Sequence, residues 1–404
     1  MTQPTIPTIT LQEYKTVETD RLSPAHVTIL RDHFKTYLTV QRALVGNGYL
    51  LTASHYVGVI ALDDLHIVIQ PKTRVQNLFY MLTYAYDLAA FRNEETLLTV
   101  GEEIFEFIVT IFLRQIQQLI RQGLHHSYLE QEDHQPYLRG RLLLAEHLRQ
   151  QSLHLSHLPQ RTTDYTVDVA ENRILKYTLW LLAQLIYTDA TLSPRLRHTY
   201  RSFAPVTHTP VTAAACRQIH FTRLNQRYRT PLNLAALLLR HLSLEGAPGH
   251  HRFGTYLFNM NELFESYVGH YLQAHFHDHP TLDVALQDHI WLDAENQEKG
   301  IPDIIIRHAG QPTYILDTKY KAFQGAPDPH DRNQLWVYAQ RLKAKAAVLI
   351  YPADHLPPYA TTFEGIPLRA IPLSLTGSLE AFKAHSHHFA EQFRHPPMQK
   401  ADQR

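Results

Sequence analysis

Two short β-rich runs, DIIIRH at 303–308 and TYILDTK at 313–319, are separated by a connection that contains Gly310. Strands this close in sequence predict a hairpin. The residues beyond the hairpin narrow the fold further. Asp328-Pro329 reads as a helix N-cap with proline at the first helical position, opening a helix to about Ala344. Ala346–Tyr351 then reads as a buried strand. A long helix at 256–276 and strand pieces at 282–286 and 289–292 precede the hairpin. Helix, strands, helix, strand is the order of an α/β unit built on a mixed sheet flanked by helices.

That hairpin carries chemistry. Side chains alternate along a strand, so Asp317 and Lys319 share one face. Asp303 opens the preceding strand, directly after Pro302. Pairing the strands brings Asp303 and Asp317 close, and two close carboxylates repel unless a divalent cation lies between them. Hard oxygen ligands of this kind suit Mg²⁺, with Mn²⁺ as the substitute. Lys319 is then placed to orient a metal-bound water or to stabilise charge on a phosphate. Lys321, two residues on, shares that face if the strand continues. A D-x-K triplet alone is a weak signal, and a plain surface ion pair at a strand end is the competing reading. Pro302-Asp303 one hairpin earlier makes the pattern moderately specific.

Two helices bear on this site. Gln334 and Tyr338 lie four apart on one helix face, and Q-x-x-x-Y after a D-x-K strand resembles a motif of RecB-like nucleases. The alternative is a tyrosine packed on the sheet with its glutamine exposed. On the helix before the strands, the apolar stripe is Met260, Leu263, Phe264, Tyr267, Val268 and Tyr271. At about 100° per residue, Glu262 points away from that stripe, whereas Glu265 lies nearer its edge. Glu265 is therefore the candidate for a further metal-site carboxylate.

At 404 residues the chain is too long for one ordinary core. Texture divides it into a β-rich region at 1–90, a mainly helical region at 91–250 and the hairpin-bearing region at 251–404. The fold class expected is multidomain, α+β to α/β. Lys plus Arg and Asp plus Glu are both 38, so net charge does not point to nucleic acid. Nine arginines and a single acidic residue between Arg195 and Arg252 fit phosphate contacts, or a solvated basic face or partner-protein surface, equally well. The single cysteine, Cys216, excludes an internal disulfide and a cysteine zinc site and fits a reducing cytoplasm. The first residues do not read as a signal peptide, and the apolar stretch at 179–187 is too short to span a bilayer. His275, His277 and His279 alternate at a helix end before Pro280, where the spacing is wrong for one helical face; among 28 histidines this reads as coincidence.

The segments together resemble the McrC family, the nuclease subunits of McrBC restriction systems. The resemblance runs through YVGVIALDDLHIVIQPK (56–72), NLFYMLTYAYDL (77–88), YLRGRLLLAEHL (137–148), DVAENRILKYTLWLL (168–182), NMNELFESYV (259–268), PDIII (302–306), ILDTKYK (315–321) and DRNQLWVYAQ (331–340). It implies a C-terminal nuclease of PD-(D/E)xK type cutting double-stranded, methylated DNA, with Asp303, Asp317 and Lys319 as the catalytic trio and Glu265 as the helix glutamate. It also implies a partner, a McrB-like AAA+ GTPase that the N-terminal half docks on and stimulates. No Walker A motif occurs here, so the motor is a separate protein. Two rivals stand beside this reading. One is a RecB-like nuclease of another defence or repair complex; the other is a non-catalytic GTPase-activating adaptor. Of the remaining motifs, Arg139-Gly140-Arg141 reads as a loop glycine between solvated arginines, and Glu171-Asn172 as a helix cap.

Overall fold

The computed structural model describes residues 7–44, 48–62, 64–88, 91, 104–144, 157–185, 187, 189–245, 253–292 and 297–397. The chain divides into two compact units, 1–104 with 244–404, and 105–243. The N-terminal and C-terminal regions that differ in texture thus share one unit.

The reason is a strand pair. Phe253–Asn259 runs antiparallel to Tyr56–Ala61, with Leu257 opposite Gly58. It extends a five-stranded sheet ordered Thr8–Gln12, His66–Gln70, Tyr56–Ala61, Phe253–Asn259, Leu242–Glu245. Leu257 sits in the same core as Leu11, Ile60, Ile67 and Leu51. This overturns the expected helix start at 256: the helix runs Met260–Phe276. Asn259 sets the switch, because its side chain accepts from the Asn261 and Glu262 amides and caps the helix. Residues before the cap keep extended backbone and join the sheet.

The second sheet of this unit has six strands, ordered Leu282–Leu286, Ile304–His308, Gln311–Thr318, Ala346–Tyr351, Ile366–Pro372, Tyr359–Phe363. The hairpin is antiparallel and turns at Ala309-Gly310, while Gln311–Thr318, Ala346–Tyr351 and Ile366–Pro372 are parallel. Helix Pro329–Arg341 is the crossover between the first two parallel strands, as a parallel pair requires. Its Leu335, Tyr338 and Ala339 pack with Ile305, Ile315, Ala347 and Leu349. The C-terminal segment meets Tyr314, whose hydroxyl donates to the His395 carbonyl at 2.8 Å and whose ring abuts Phe393. Helix Met260–Phe276 is bound to the aromatic helix Val75–Ala85 through Tyr84 against Tyr267 and Tyr271, and to helix Leu379–Glu391 through a 2.7 Å bond between Tyr267 and Ser386 hydroxyls.

The other unit is not only helical. Beside helices Ile104–Gln122, Ala170–Leu182, Leu192–Arg201 and Arg229–His241 it holds a three-stranded sheet of Ser127–Gln135, Leu158–Thr166 and Arg141–Leu142. Ser127–Gln135 is exposed along most of its length, so no apolar alternation marks it in the sequence. Gly140 is a close-approach glycine: a Cβ there would meet the Arg161 carbonyl oxygen at 2.2 Å. Arg139 pairs with Asp164 at 2.7 Å. Glu171 and Asn172 do not cap their helix, whose N-cap is Val169. Instead Asn172 donates to the His125 and Val167 carbonyls and accepts from the buried Tyr228 hydroxyl, and Glu171 accepts from Asn225. Asp63, Arg252 and residues 145–148 of the segment YLRGRLLLAEHL lie outside the described residues. No helix among the described residues is long and apolar enough to cross a membrane.

Gly58 tests the strand pair that joins the termini. Its φ is +139°, and a Cβ would fall 2.0 Å from the Tyr256 carbonyl oxygen. Gly58→Ala must strain the backbone or part the strands. A loss of roughly 3 kcal/mol is expected from the two effects, read by denaturant unfolding, with amide protection falling in both Tyr56–Ala61 and Phe253–Asn259. An unchanged midpoint would show that the pair does not hold the unit together.

Candidate active site

Asp303 stands one step beyond the Ile304–Leu316 pair, opposite Asp317. The hairpin therefore sets the two carboxylates side by side at the end of its strands. Asp317 is buried, with 5% of its surface exposed. One Asp303 oxygen accepts from the Thr318 amide at 2.9 Å and from the Thr318 hydroxyl at 3.2 Å. Lys319 Nζ lies 2.8 Å from Asp317 Oδ2 and 3.7 Å from Asp331 Oδ1. Lys321 is paired too, 2.6 Å from Asp331 Oδ2.

The charges conflict in a way that burial sharpens. Burial, then the neighbouring Asp303 carboxylate, pushes Asp317 up to about 7. Burial likewise raises Asp303, against the pull of the Thr318 bonds and of Lys319. Burial and Asp303 raise Glu265, so the helix glutamate feels the hairpin's charge. Burial pulls Lys319 down, but Asp317, Asp331 and Asp303 outweigh it and hold the ammonium above its ordinary range. The structure thus brings Glu265, Asp303, Asp317 and Lys319 into one electrostatic cluster. Glu262 is exposed and takes part in the Asn259 cap.

Gln334 and Tyr338 are placed differently. The Gln334 amide donates to the Tyr338 hydroxyl at 3.1 Å. The Tyr338 ring is buried in the sheet core, over Gly300. Gln334 is exposed one turn along from Asp331. This is the packing arrangement, a tyrosine on the sheet with its glutamine outside.

Sequence reasoning missed several residues. Asp331, in the first turn of helix Pro329–Arg341, links Lys319 to Lys321; its position just after Asp328-Pro329 was the available signal. Gln287 bridges Glu265 and the hairpin: its amide side chain donates to Glu265 Oε1 at 2.8 Å and its backbone N–H to the Asp303 carbonyl at 3.0 Å. It does so at φ +48°, in the left-handed region. Glu13 is fully buried and accepts from the Tyr320 hydroxyl and the Lys72 amide, both at 2.8 Å. Tyr14 donates to the Tyr320 carbonyl at 3.2 Å. The residue between Lys319 and Lys321 is thus anchored by the first strand's end, which no local sequence pattern announces.

A mixed α/β protein with a buried carboxylate–lysine cluster at the ends of its central strands is the class that fold and site define. The family described as "McrBC 5-methylcytosine restriction system component" matches residues 51–352, and the chain belongs to that family. It is 25% identical over 312 residues to the type IV methyl-directed restriction enzyme EcoKMcrBC of Escherichia coli K12, across 70% of this chain and 87% of that protein. Its fold is similar to that of a chain from the Thermococcus gammatolerans assembly of McrB AAA+ hexamers with bound McrC. There the TM-score is 0.59 at 19% identity, over 96% of this chain and 100% of the other.

The raised Asp317 carboxyl sets a pH dependence. Its ordinary value is 3.8, so between about 4 and 7 the folded, metal-free chain binds a proton that the unfolded chain releases. On this group's account stability is greatest at low pH and is lost as pH rises through 7. Asp317→Asn removes that loss. In EDTA at pH 8 the variant should melt above the parent chain, with the gap narrowing towards pH 5. A constant gap across this range would rule out the buried charge as its cause.

Proposed function

We propose that this chain is the DNA-cutting subunit of a modification-dependent restriction system, a PD-(D/E)xK-type endodeoxyribonuclease that docks on and stimulates a McrB-like AAA+ GTPase. The observation that carries this reading is the pairing of Asp303 with Asp317 at one hairpin end, with Lys319 on the same face and Glu265 within electrostatic reach. The relatives' names support the rest: EcoKMcrBC is methyl-directed, and the T. gammatolerans assembly joins McrC to McrB hexamers.

The donor set fits a hard divalent cation. All three candidate ligands are carboxylates, and the raised pKa values of Asp317 and Asp303 mark negative charge that the protein does not fully compensate. Asp303, Asp317 and Glu265 would hold Mg²⁺, or Mn²⁺ in its place. When bound, the cation supplies a Lewis acid for the phosphate and lowers the pKa of a water. Thr318 fixes one Asp303 oxygen and leaves the other for the ligand. Lys319, kept charged by three carboxylates, neutralises charge that builds on the phosphate. Asp331 holds Lys319 and Lys321 on one side, so that the lysines meet the DNA backbone as a pair. Gln334 and Tyr338 support the helix that carries Asp331.

The N-terminal half is the docking part in this reading. A fragment ending at 250 would remove Phe253–Asn259, the partner of Tyr56–Ala61. Docking and cutting are therefore separated by substitution in the full chain. With the AAA+ partner, nucleotide and Mg²⁺, Asp303→Ala and Asp317→Ala should each lower cleavage of methylated DNA by at least about a hundredfold, the loss of some 3 kcal/mol of transition-state stabilisation. GTP hydrolysis by the partner should stay stimulated. Full cutting by Asp317→Ala would sink the assignment; stimulation without cutting by the unsubstituted chain would favour the adaptor.

Cutting should also depend on the partner. Charge is balanced at 38 against 38, so long-range attraction to DNA is weak. Plasmid assays of the purified chain alone should show little cleavage, and the full complex with nucleotide should show much. Efficient site-specific cutting by the chain alone would point instead to a self-sufficient nuclease.

A further inference from the structure

Away from the carboxylate–lysine cluster, a second group has the make-up of a ligand set. His275, His387 and Glu391 each offer a donor atom, and the three atoms lie within 4.8 Å of one another. Among the described residues this convergence occurs here and not at Glu265, Asp303 and Asp317. His275 lies in the last turn of helix Met260–Phe276. Glu391 ends helix Leu379–Glu391, and His387 sits one turn earlier on the same face. We propose that these three side chains bind a divalent transition-metal ion of the zinc type, clamping the two helices together at their C-terminal ends.

Three features support the assignment. Donor chemistry comes first: two imidazoles and one carboxylate suit Zn²⁺ and its neighbours, whereas Mg²⁺ and Ca²⁺ take oxygen ligands. The second is the local field. Both helices end here, and the negative end of a helix dipole favours a cation. The third is preorganisation. His275 Nε2 lies 2.7 Å from Glu391 Oε1, and the His275 ring is stacked on Tyr271 and set edge-on to Phe276. Arg394 grips both Glu391 oxygens, Nε to Oε2 at 2.6 Å and Nη2 to Oε1 at 2.7 Å. With the His275 contact replaced by the ion, Glu391 Oε1 would keep its bond from Arg394 and turn its other lone pair to the metal. The ion would take the place of the proton between His275 and Glu391. The exposed His387 ring, edge-on to His275 at 5.1 Å, would close over it and leave a solvent-facing position for water.

His387 and Glu391 lie beyond residues 51–352, the part matched by the McrBC family. The clamp would tie the C-terminal helix to helix Met260–Phe276. It would secure the helix that bears Glu265, already tied there by the Tyr267–Ser386 bond.

The test uses the full chain, stripped with EDTA and dialysed. Zn²⁺ titration against a chromogenic chelator should reveal one tight equivalent, and saturation should raise the melting temperature by several degrees. Mg²⁺ should neither compete for that equivalent nor reproduce its shift. His387→Ala changes an exposed side chain and should fold normally, yet lose the tight equivalent and the shift; His275→Ala should do the same. Co²⁺ in place of Zn²⁺ should give visible d–d bands that vanish in His387→Ala. Absence of a tight equivalent in the parent chain overturns the proposal. So does an undiminished equivalent in His387→Ala and His275→Ala, which would mean adventitious binding among the other histidines.

Discussion

The strand pair between Tyr56–Ala61 and Phe253–Asn259 is the constraint on which the larger unit depends. It closes a loop through the whole second unit, so the ends of the chain fold as one body while 105–243 forms its own. A closure this long carries an entropic cost that grows only slowly with length, and the buried sheet core offsets it. Gly58 makes the contact possible, because a side chain there would strike the Tyr256 carbonyl. With the strands in place, Asn259 caps helix Met260–Phe276 and fixes where it begins. The position of Glu265 is set by that cap.

The site sets burial against charge. Two carboxylates at the end of a β-hairpin would be ordinary on a surface. Here Asp317 is buried, Asp303 is opposite it, and a third carboxylate on helix Met260–Phe276, Glu265, feels Asp303. Lys319 supplies part of the missing positive charge, and Asp331 keeps that lysine and its neighbour Lys321 in place. A removed counter-charge in such a setting costs more than a surface ion pair contributes. On the proposed reading a bound cation would relieve that conflict, so the proposed chemistry rests on the charges as much as on the motif.

Local patterns made much of this legible. The hairpin, the Asp328-Pro329 helix start and the apolar strand Ala346–Tyr351 all have local causes: alternation, a cap and a continuous apolar run. The strand Ala346–Tyr351 has the bounds expected, and the others shift by a few residues at the ends. What sequence could not show is long-range. Residues 256–259 read as helix because their aromatic and aliphatic side chains suit either state; the partner strand far upstream decides for β. Ser127–Gln135 has no apolar face to betray it. Glu171-Asn172 looks like a cap, yet its partners Tyr228 and Asn225 come from another part of the chain. Within the site, Asp303, Asp317 and Lys319 were legible through strand alternation, and Glu265 through helical phase. Asp331, Gln287 and Glu13 were not, because each acts by a contact that only the assembled fold creates.

Glu13 shows what those contacts imply. It is a fully buried carboxylate at the end of the first strand, raised by burial and bonded to Tyr320. Tyr320 lies between the two lysines, and its carbonyl accepts from Tyr14. The amide of Lys319 donates to Ile350, so this stretch is pinned to the central sheet on one side and to the N-terminal strand on the other. A force on the N-terminal strand reaches the lysine stretch through two hydrogen bonds and no flexible linker. On the proposed reading, that strand belongs to the part that meets the motor. Asp303, Asp317 and Lys319 already stand together in the chain, with Asp317 buried and its lysine paired. On the same reading, what the partner would add is delivery of DNA and tension on this frame, rather than the pairing of Asp303 with Asp317.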